Sequence, residues 1–416
     1  MFAIVNADVD PVVKARIARG TVVVKDGKIA AVGKRTAVPA KCRRIDAKGR
    51  LLTPGLIDPH THAGLGEDGL PGDHDVNEGT NPVTPQVRAI DAFKPTDAAL
   101  LEGAQAGVTT VFITPGSANV IGGLGAVVKT QAASMDEQIV KLDAGLKMAM
   151  GENPKRFYGE QKRMPSTRMG TAAVMRQALL KGKTYVEKKR RHRRKKRPCD
   201  PFEQDLANEA IAGLLSGKYP ARCHAHRSID MLTAIRISDE YGFKLVFEHA
   251  TECQDILGEL AKRRIPLVIG PTFTSRAKIE LLHRSFAAVA DAVTAGLTVA
   301  ITADTGVTPL KYLNVYAAMA IREGLDPQEA LKALTINGAK ICGVNSRVGS
   351  IEPGKDADLV LWEADPFDVR TRPAAVWVEG NPVDLTVQAF ARIKEKFRRS
   401  AQQKAKVLNV ALKTVV

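Results

Sequence analysis

Two histidines, His60 and His62, close the segment GLIDPHTH, which follows a Thr-Pro pair. The apolar residues of this segment and the turn before it indicate a short strand. Side chains two positions apart on a strand point to the same face, so the two imidazoles lie side by side. Imidazole binds zinc, iron and nickel well. The spacing therefore predicts that His60 and His62 hold one divalent metal ion.

Further candidate ligands follow later apolar segments. His224 and His226 repeat the period-two spacing in ARCHAHR, His249 follows KLVFE, and Asp304 follows VAITA. An aspartate at a strand end can bind a metal ion and take a proton from the metal-activated water. We therefore interpret Asp304 as a ligand and general base, with a turn cap as the alternative, since Asp-Thr-Gly is also turn chemistry.

The chain of 416 residues carries a net charge of +16, and much of the excess lies in residues 188–197 and 392–413. A run of like charges is usually a solvated, mobile loop. No aromatic residue interleaves with the run at 188–197, so no base-stacking platform accompanies it. We therefore expect a small-molecule substrate and no nucleic acid.

The composition also bears on location. No apolar run reaches the length of a membrane span, and the start MFAIVNADVD lacks the basic and apolar regions of a signal peptide. The five cysteines are scattered without a C-x-x-C pair, so neither a disulfide framework nor a structural zinc site is indicated. These observations predict a cytoplasmic protein without membrane association.

Strand and helix patterns alternate between Leu56 and Thr302. Eight strand candidates, mostly with helical segments between them, predict an α/β fold built on a TIM-like (β/α)8 barrel. The third and fourth candidates are residues 125–130 and 144–150. A long loop rich in Gly, Pro and Asp spans residues 63–95, and loops of that length are often functional.

Both chain ends carry short strand-like runs separated by turns. The simplest arrangement joins residues 1–52 and 345–390 into one small composite β domain, a β-sandwich. It assigns residues 53–344 to the barrel and leaves residues 391–416 as a basic C-terminal tail.

These motifs together resemble the amidohydrolase superfamily. The resemblance rests on PGLIDPHTH, HAH, EHA and ADTG, and on ALTINGAKICG followed by GSIEPGKDADLVLW. It is strongest for the imidazolonepropionase-like group, which includes peptidases acting on prolyl and arginyl dipeptides. It implies a metal centre in the barrel mouth. It also implies hydrolysis of an amide, dipeptide or cyclic amide C–N bond by metal-activated water, with Asp304 as base and then acid.

Three alternatives stay open. Imidazolonepropionase activity and deamination use the same barrel, although deaminases of this superfamily tend to carry glutamate where Arg227 stands here. A non-catalytic barrel scaffold that lost its metal is the lower alternative, because all the expected ligand types are present. The expected cofactor is zinc, as one or two ions, and we expect a homo-oligomer.

The resemblance also assigns individual residues. It favours His224 as a metal ligand, with His226 next to the substrate. It implies that His249 either binds a second metal ion or contacts the substrate as a catalytic residue. Arg227 is a candidate for pairing with an anionic substrate group. We expect three other histidines not to be ligands, namely His74, His192 and His283.

A site with two metal ions needs a bridging anion, which in many amidohydrolases is a carboxylated lysine. Lys147, flanked by apolar residues in AGLKMAM, is the first candidate, because desolvation lowers the pKa of a lysine and leaves a neutral amine to react. Lys129 and Glu152 are the other candidates. A site with one ion and no bridge is equally open.

Overall fold

The computed structural model describes residues 1–66, 75–194 and 201–386. The predicted tail at 391–416, His74 and the last residues of the basic run lie outside these ranges. Within them the strands are, in chain order, β1 (Phe2–Val9), β2 (Ile17–Lys25), β3 (Lys28–Gly33), β4 (Arg43–Asp46), β5 (Leu51–Pro54), β6 (Leu56–Thr61), β7 (Val108–Ile113), β8 (Ile121–Lys129), β9 (Ile139–Ala149), β10 (Ala221–Ala225), β11 (Leu245–His249), β12 (Leu267–Ile269), β13 (Val299–Ile301), β14 (Leu359–Trp362), β15 (Pro373–Val378) and β16 (Asn381–Pro382).

The α-helices connect or cover these strands. In chain order they are α1 (Ala98–Gln105), α2 (Met135–Gln138), α3 (Glu152–Glu160), α4 (Arg168–Arg193), α5 (Leu206–Leu215), α6 (Ser228–Tyr241), α7 (Leu257–Arg263), α8 (Ala287–Thr294), α9 (Leu313–Arg322), α10 (Pro327–Ala333) and α11 (Ile336–Cys342). None of those within the described ranges combines the length and the apolar character needed to cross a lipid bilayer.

Strands β6 to β13 form a nearly closed barrel in sequence order. Hydrogen bonds between the end of β6 and the segment after β13 span the gap between the first and last strands. The Thr302 hydroxyl donates to the His60 carbonyl at 2.6 Å, and the His62 N–H donates to the Thr305 carbonyl at 3.2 Å. The barrel strands are buried along most of their length, so continuous apolar runs rather than alternation marked them in the sequence.

The start and the direction of the third barrel strand differ from the regular (β/α)8 barrel that the sequence predicted. β8 begins at Ile121 rather than residue 125 and pairs antiparallel with both β7 and β9, whereas the other barrel pairs are parallel. The physical reason is the connection after β7. Seven residues without a helix are too few for a parallel crossover, so the chain turns straight back.

The remaining eight strands, from both chain ends, form a single sheet. Its order is β16-β15-β14-β5-β1-β2-β3, with β4 paired to β1. A separate cluster of buried apolar residues packs on it, including Ile4, Leu52 and Trp377. Both chain ends therefore contribute strands to one sheet, whereas the composite β domain and the sandwich of two packed sheets stay predictions.

The first part of the basic run, residues 188–193, is not the loop that its composition suggested. Residues 188–193 continue helix α4, because Lys and Arg are good helix formers and α5 supports this end of α4. Glu209 of α5 accepts from the Tyr185 hydroxyl at 2.5 Å and pairs with Lys189.

Lys129 lies in a buried ion cluster at the closed end of the barrel. Its ammonium is 3.0 Å from Asp356 and 2.6 Å from Asp358, in the segment just before β14. Because β8 runs antiparallel, its last residue faces away from the barrel mouth. Lys129 is therefore excluded as a bridging residue, and it joins the barrel to the sheet of the chain ends instead.

Replacing Lys129 by methionine should lower the free energy of unfolding by about 3–5 kcal/mol, since the buried carboxylate of Asp358 loses its ion-pair partner. The matched control is Lys28→Met. Lys28 also pairs with Asp356, but its side chain is 48% exposed, so we expect a loss of at most about 1 kcal/mol. Urea unfolding of both variants measures the difference, and equal losses would contradict this role of Lys129.

Candidate metal centre

Five histidines converge at the mouth of the barrel, where β6, β10 and β11 end. Ring centroids are 5.4 Å apart for His60 and His62, 4.9 Å for His60 and His249, and 4.5 Å for His249 and His224. His226 stacks on His249 at 4.9 Å. The structure thus brings all five predicted histidines into one cluster.

Asp304 completes a first group with His60 and His62. Its Oδ1 is 3.4 Å from Nε2 of His60 and 3.5 Å from Nε2 of His62. Asp304 follows β13 with φ of 54°, a left-handed conformation that is uncommon outside glycine and clusters at functional sites. Burial alone would raise the pKa of Asp304, but the positive charges that His60, His249 and His62 carry when protonated outweigh it and hold that pKa far below its usual range.

The orientations of two rings are fixed by backbone carbonyls. Nδ1 of His62 lies 2.7 Å from the Thr114 carbonyl, and Nδ1 of His249 lies 2.7 Å from the Gly270 carbonyl. Each Nδ1 must therefore carry the ring proton and donate a hydrogen bond to the carbonyl. Each Nε2 then keeps a free lone pair that can bind a metal ion. Burial lowers the pKa of His62 to about 4 and that of His249 to about 3, so both rings are neutral near pH 7. Such hydrogen bonds are typical of metal-binding histidines.

Lys147, on β9, points into the same cluster. It is fully buried, and its Nζ lies 3.4 Å from Nε2 of His60. Burial lowers the pKa of Lys147 to about 8, although the carboxylates of Glu248 and Asp304 act in the opposite direction. A neutral amine is therefore accessible near physiological pH. Glu152, by contrast, begins α3, and its carboxylate lies 3.7 Å from Arg156.

A buried ion pair behind His60 was missed in the sequence. Glu248 places Oε2 2.8 Å from Nδ1 of His60, and its other oxygen accepts from Arg222. Arg222 also donates to the Pro59 carbonyl, and its guanidinium lies 4.1 Å from the ring centroid of Phe112. Burial alone would lower the pKa of His60, but Glu248 and Asp304 raise it. The pair orients His60 and increases its basicity.

Asp58 is a second missed residue on β6. Its carboxylate accepts from the His60 N–H at 3.1 Å and from the Ala303 N–H at 3.0 Å. Burial raises the pKa of Asp58 to about 7. These bonds fix the end of β6 against the segment that carries Asp304.

A second group contains His224, His226 and Glu280. Oε1 of Glu280 lies 3.9 Å from Nε2 of His224 and 3.7 Å from Nε2 of His226. Glu280 belongs to a 3-10 turn, Ile279–Leu281, in the irregular segment after β12. No periodic pattern marks that segment, so the sequence offered no signal for a carboxylate that is 1% exposed.

The remaining candidates lie at the margin of the cluster or away from it. Arg227 is the residue before α6, with its side chain 35% exposed and Nε 3.9 Å from Glu252. His283 is exposed in a turn, and His192 lies on α4. Neither His192 nor His283 belongs to the potential metal-binding groups found among the described residues.

The residues present fit a divalent metal ion. The first group offers two imidazoles and a carboxylate whose ligand atoms all lie within 4.8 Å of one another. Oδ1 of Asp304 and Nδ1 of His224 are buried without a hydrogen-bond partner in the described part of the chain. Nitrogen and oxygen donors of this kind suit zinc and related ions. A cavity of about 320 Å³ beside His62 gives room for a small substrate.

Several known proteins that are similar to this chain carry the name amidohydrolase. The model of the amidohydrolase family matches residues 225–389. The solved structure of an amidohydrolase from Thermotoga maritima MSB8 is 45% identical, covers 92% of this chain and 100% of its own, and has a TM-score of 0.89. The amidohydrolase tasK of Hapsidospora irregularis is 31% identical over 88% of this chain, which spans only 39% of that relative. An imidazolonepropionase of Maricaulis maris is 24% identical, with 86% of this chain and 90% of the relative covered.

Proposed function

Because the chain belongs to the amidohydrolase family and is a hydrolase of C–N bonds, we propose that His60, His62 and Asp304 hold a catalytic divalent metal ion. The convergence of these three side chains is the observation that carries the proposal. Zinc is the expected ion, and the substrate is an amide, a dipeptide or a cyclic amide. The bound metal supplies a Lewis acid that makes water acidic near neutral pH.

Asp304 performs the proton transfers. Its carboxylate, kept ionised by the neighbouring imidazoles, takes a proton from the attacking water. It then returns that proton to the leaving nitrogen. Nε2 of His249 is unprotonated, because the ring proton is on Nδ1, where it is hydrogen-bonded to the Gly270 carbonyl. His226 and Arg227 stand on the same side of the mouth, where they can meet the substrate carbonyl and an anionic group.

Lys147 supports a second part of the proposal. It is buried, 3.4 Å from His60, and has a lowered pKa. These are the conditions under which an amine reacts with carbon dioxide to give a carbamate. The carbamate would place an anion beside His60, where it could serve as a bridging ligand.

A cyclic amide is the second candidate substrate, and the similarity to imidazolonepropionase favours it. Deamination is less well supported, because Arg227 replaces the expected glutamate.

For the architecture we propose a barrel at 53–344 and a composite β domain from 1–52 and 345–390. One buried apolar cluster, which includes Ile4, Leu52 and Trp377, is made of residues from 1–52 and 345–390 alone and supports that division. Homo-oligomerisation stays a prediction.

Metal removal tests the function. We expect the protein, purified without chelator, to hydrolyse at least one member of a dipeptide and cyclic amide panel. Chelation should abolish that activity, and zinc with bicarbonate should restore it. Restoration in bicarbonate-free buffer should be weaker if Lys147 acts as its carbamate. A chelated protein that retains full turnover would contradict the proposal.

A further inference from the structure

A cavity at the closed end of the barrel, away from the metal centre, is surrounded mostly by cations. It encloses about 630 Å³ among the segments just before β10, β11 and β12 and the ends of α6, α7 and α11. Among the described residues its lining has one carboxylate, that of Asp239, and six basic side chains, namely Lys141, Lys218, Lys244, Arg263, Arg264 and Lys340. We propose that this cavity binds a small multivalent anion, a molecule that carries phosphate or several carboxylate groups.

Most of these cations are not neutralised by a carboxylate of the protein. Lys218 and Arg263 each form ion pairs. Nζ of Lys141 donates to the Cys342 carbonyl at 3.1 Å instead. Within residues 1–66, 75–194 and 201–386, no ion pair is formed by four of the six, namely Lys141, Lys244, Arg264 and Lys340. Like charges around one cavity repel one another, so an anion among them would be stabilised.

The helix dipole is the ordinary explanation for basic residues at such a position. Helices α6, α7 and α11 end at this cavity, and each C-terminus carries at most about half a negative charge. Three helix ends therefore offset about one and a half positive charges. The cations outnumber the carboxylate by six to one. The greater part of the positive charge is left for a ligand.

The cavity combines a charged rim with an apolar floor. Phe243, Leu245 and Ile265 are each at most 7% exposed, whereas Lys244 and Arg264 are exposed. Clefts lined by one sign of charge and by walls of low dielectric constant concentrate counter-ions. A volume of about 630 Å³ lies within the range of small-molecule sites. The cavity therefore suits a compact anion rather than an extended chain.

The backbone fixes two of the unpaired cations at this edge. Arg264 ends α7 with φ of 53°, a conformation that glycine usually adopts at the end of a helix. Residues held in this region cluster at functional sites. Lys244 directly precedes β11, and its carbonyl accepts from the Ala221 N–H at 2.8 Å. A site whose backbone is already ordered binds a ligand at a lower cost in entropy.

Equilibrium dialysis of the full chain against radiolabelled pyrophosphate, in dilute salt, tests the proposal. We expect saturable binding that is at least about tenfold weaker in the double variant Lys244→Glu/Arg264→Glu, because two attractive charges become repulsive. Lys34→Glu/Arg35→Glu is the matched control. Lys34 and Arg35 are exposed in the turn after β3, outside the cavity, and this variant changes the net charge equally. We expect it to bind pyrophosphate as the parent does.

Three outcomes of the dialysis would overturn the proposal. The first is a parent protein that does not bind pyrophosphate. The second is equal weakening in both double variants, which would show attraction by the net charge alone. The third is full affinity in Lys244→Glu/Arg264→Glu, which would place the anion elsewhere, for example at the metal centre. Each of them would leave the proposed hydrolase function intact, because the two sites lie at opposite ends of the barrel.

Protection from acetylation locates the anion without any variant. Pyrophosphate should slow the reaction of Lys244 and Lys340 with acetic anhydride, measured by mass spectrometry, and leave the rate at Lys34 unchanged. Equal protection at all three lysines, or none, would refute the site. Citrate in place of pyrophosphate distinguishes the two classes of ligand. Stronger protection by citrate would indicate a polycarboxylate, and stronger protection by pyrophosphate would indicate a phosphate compound.

Discussion

Replacing Asp304 by asparagine should lower kcat by about 10²–10⁴-fold, the usual contribution of a general acid–base residue. Asparagine keeps the shape of the side chain and an oxygen that can bind metal, but it cannot take a proton. Oδ1 of Asp304 lies at 3.4 and 3.5 Å from the two histidine nitrogens, so this carboxylate is the base best placed to act on a water in the cluster. Turnover and metal content of the same preparation measure the effect.

The control for this variant is Asp239→Asn. Asp239 is 58% exposed on α6 and pairs with Arg263 at the protein surface, so its loss should leave turnover unchanged. An Asp304→Asn enzyme within tenfold of the parent, with its metal retained, would assign the proton transfer to another residue.

Replacing Arg222 by methionine should destabilise the fold by about 3–5 kcal/mol. The guanidinium is fully buried and satisfies both Glu248 and the Pro59 carbonyl, so its removal takes away the permanent positive charge beside the buried carboxylate of Glu248. Thermal and urea unfolding of the full chain measure the loss.

A double variant separates charge from packing. Arg222→Met combined with Glu248→Gln removes both charges and should recover part of the stability, because no uncompensated charge is left. It should still bind metal less tightly, since His60 loses the carboxylate 2.8 Å from Nδ1. Arg263→Met, which removes two surface ion pairs, should cost far less stability, because exposed ion pairs are weakened by solvent. Equal losses in Arg222→Met and Arg263→Met would contradict this account.

The sequence predicted much of this architecture because the spacing of side chains at the end of a strand can be recognised from neighbouring residues alone. The H-x-H spacing on β6 and its repeat on β10 place side chains on one face whatever the rest of the chain does. The family and the C–N hydrolase activity were confirmed, as was a nearly closed eight-stranded barrel. The individual ligand roles stay predictions, although the structure brings those side chains together.

The features that were missed depend on contacts that are distant in sequence. Glu248 lies beside His224 through the pairing of β10 with β11, and a single sequence does not show that register. Glu280 reaches the mouth from an irregular turn. His249 and Asp304 adopt positive φ, which breaks the alternation of side chains at the end of a strand. Lys129 was misplaced because its strand runs in the opposite direction.

The reversed direction of β8 changes how this scaffold can be engineered. Since β7 and β8 share one connection at the mouth, the eight strands offer seven segments there for randomisation in a library that aims at new substrates. The connection from β8 to β9, residues 130–138, lies at the other end of the barrel. A reporter domain or an immobilisation tag inserted there would lie far from the metal centre. In a regular (β/α)8 barrel the connection after the third strand would instead begin at the mouth, where the substrate is recognised.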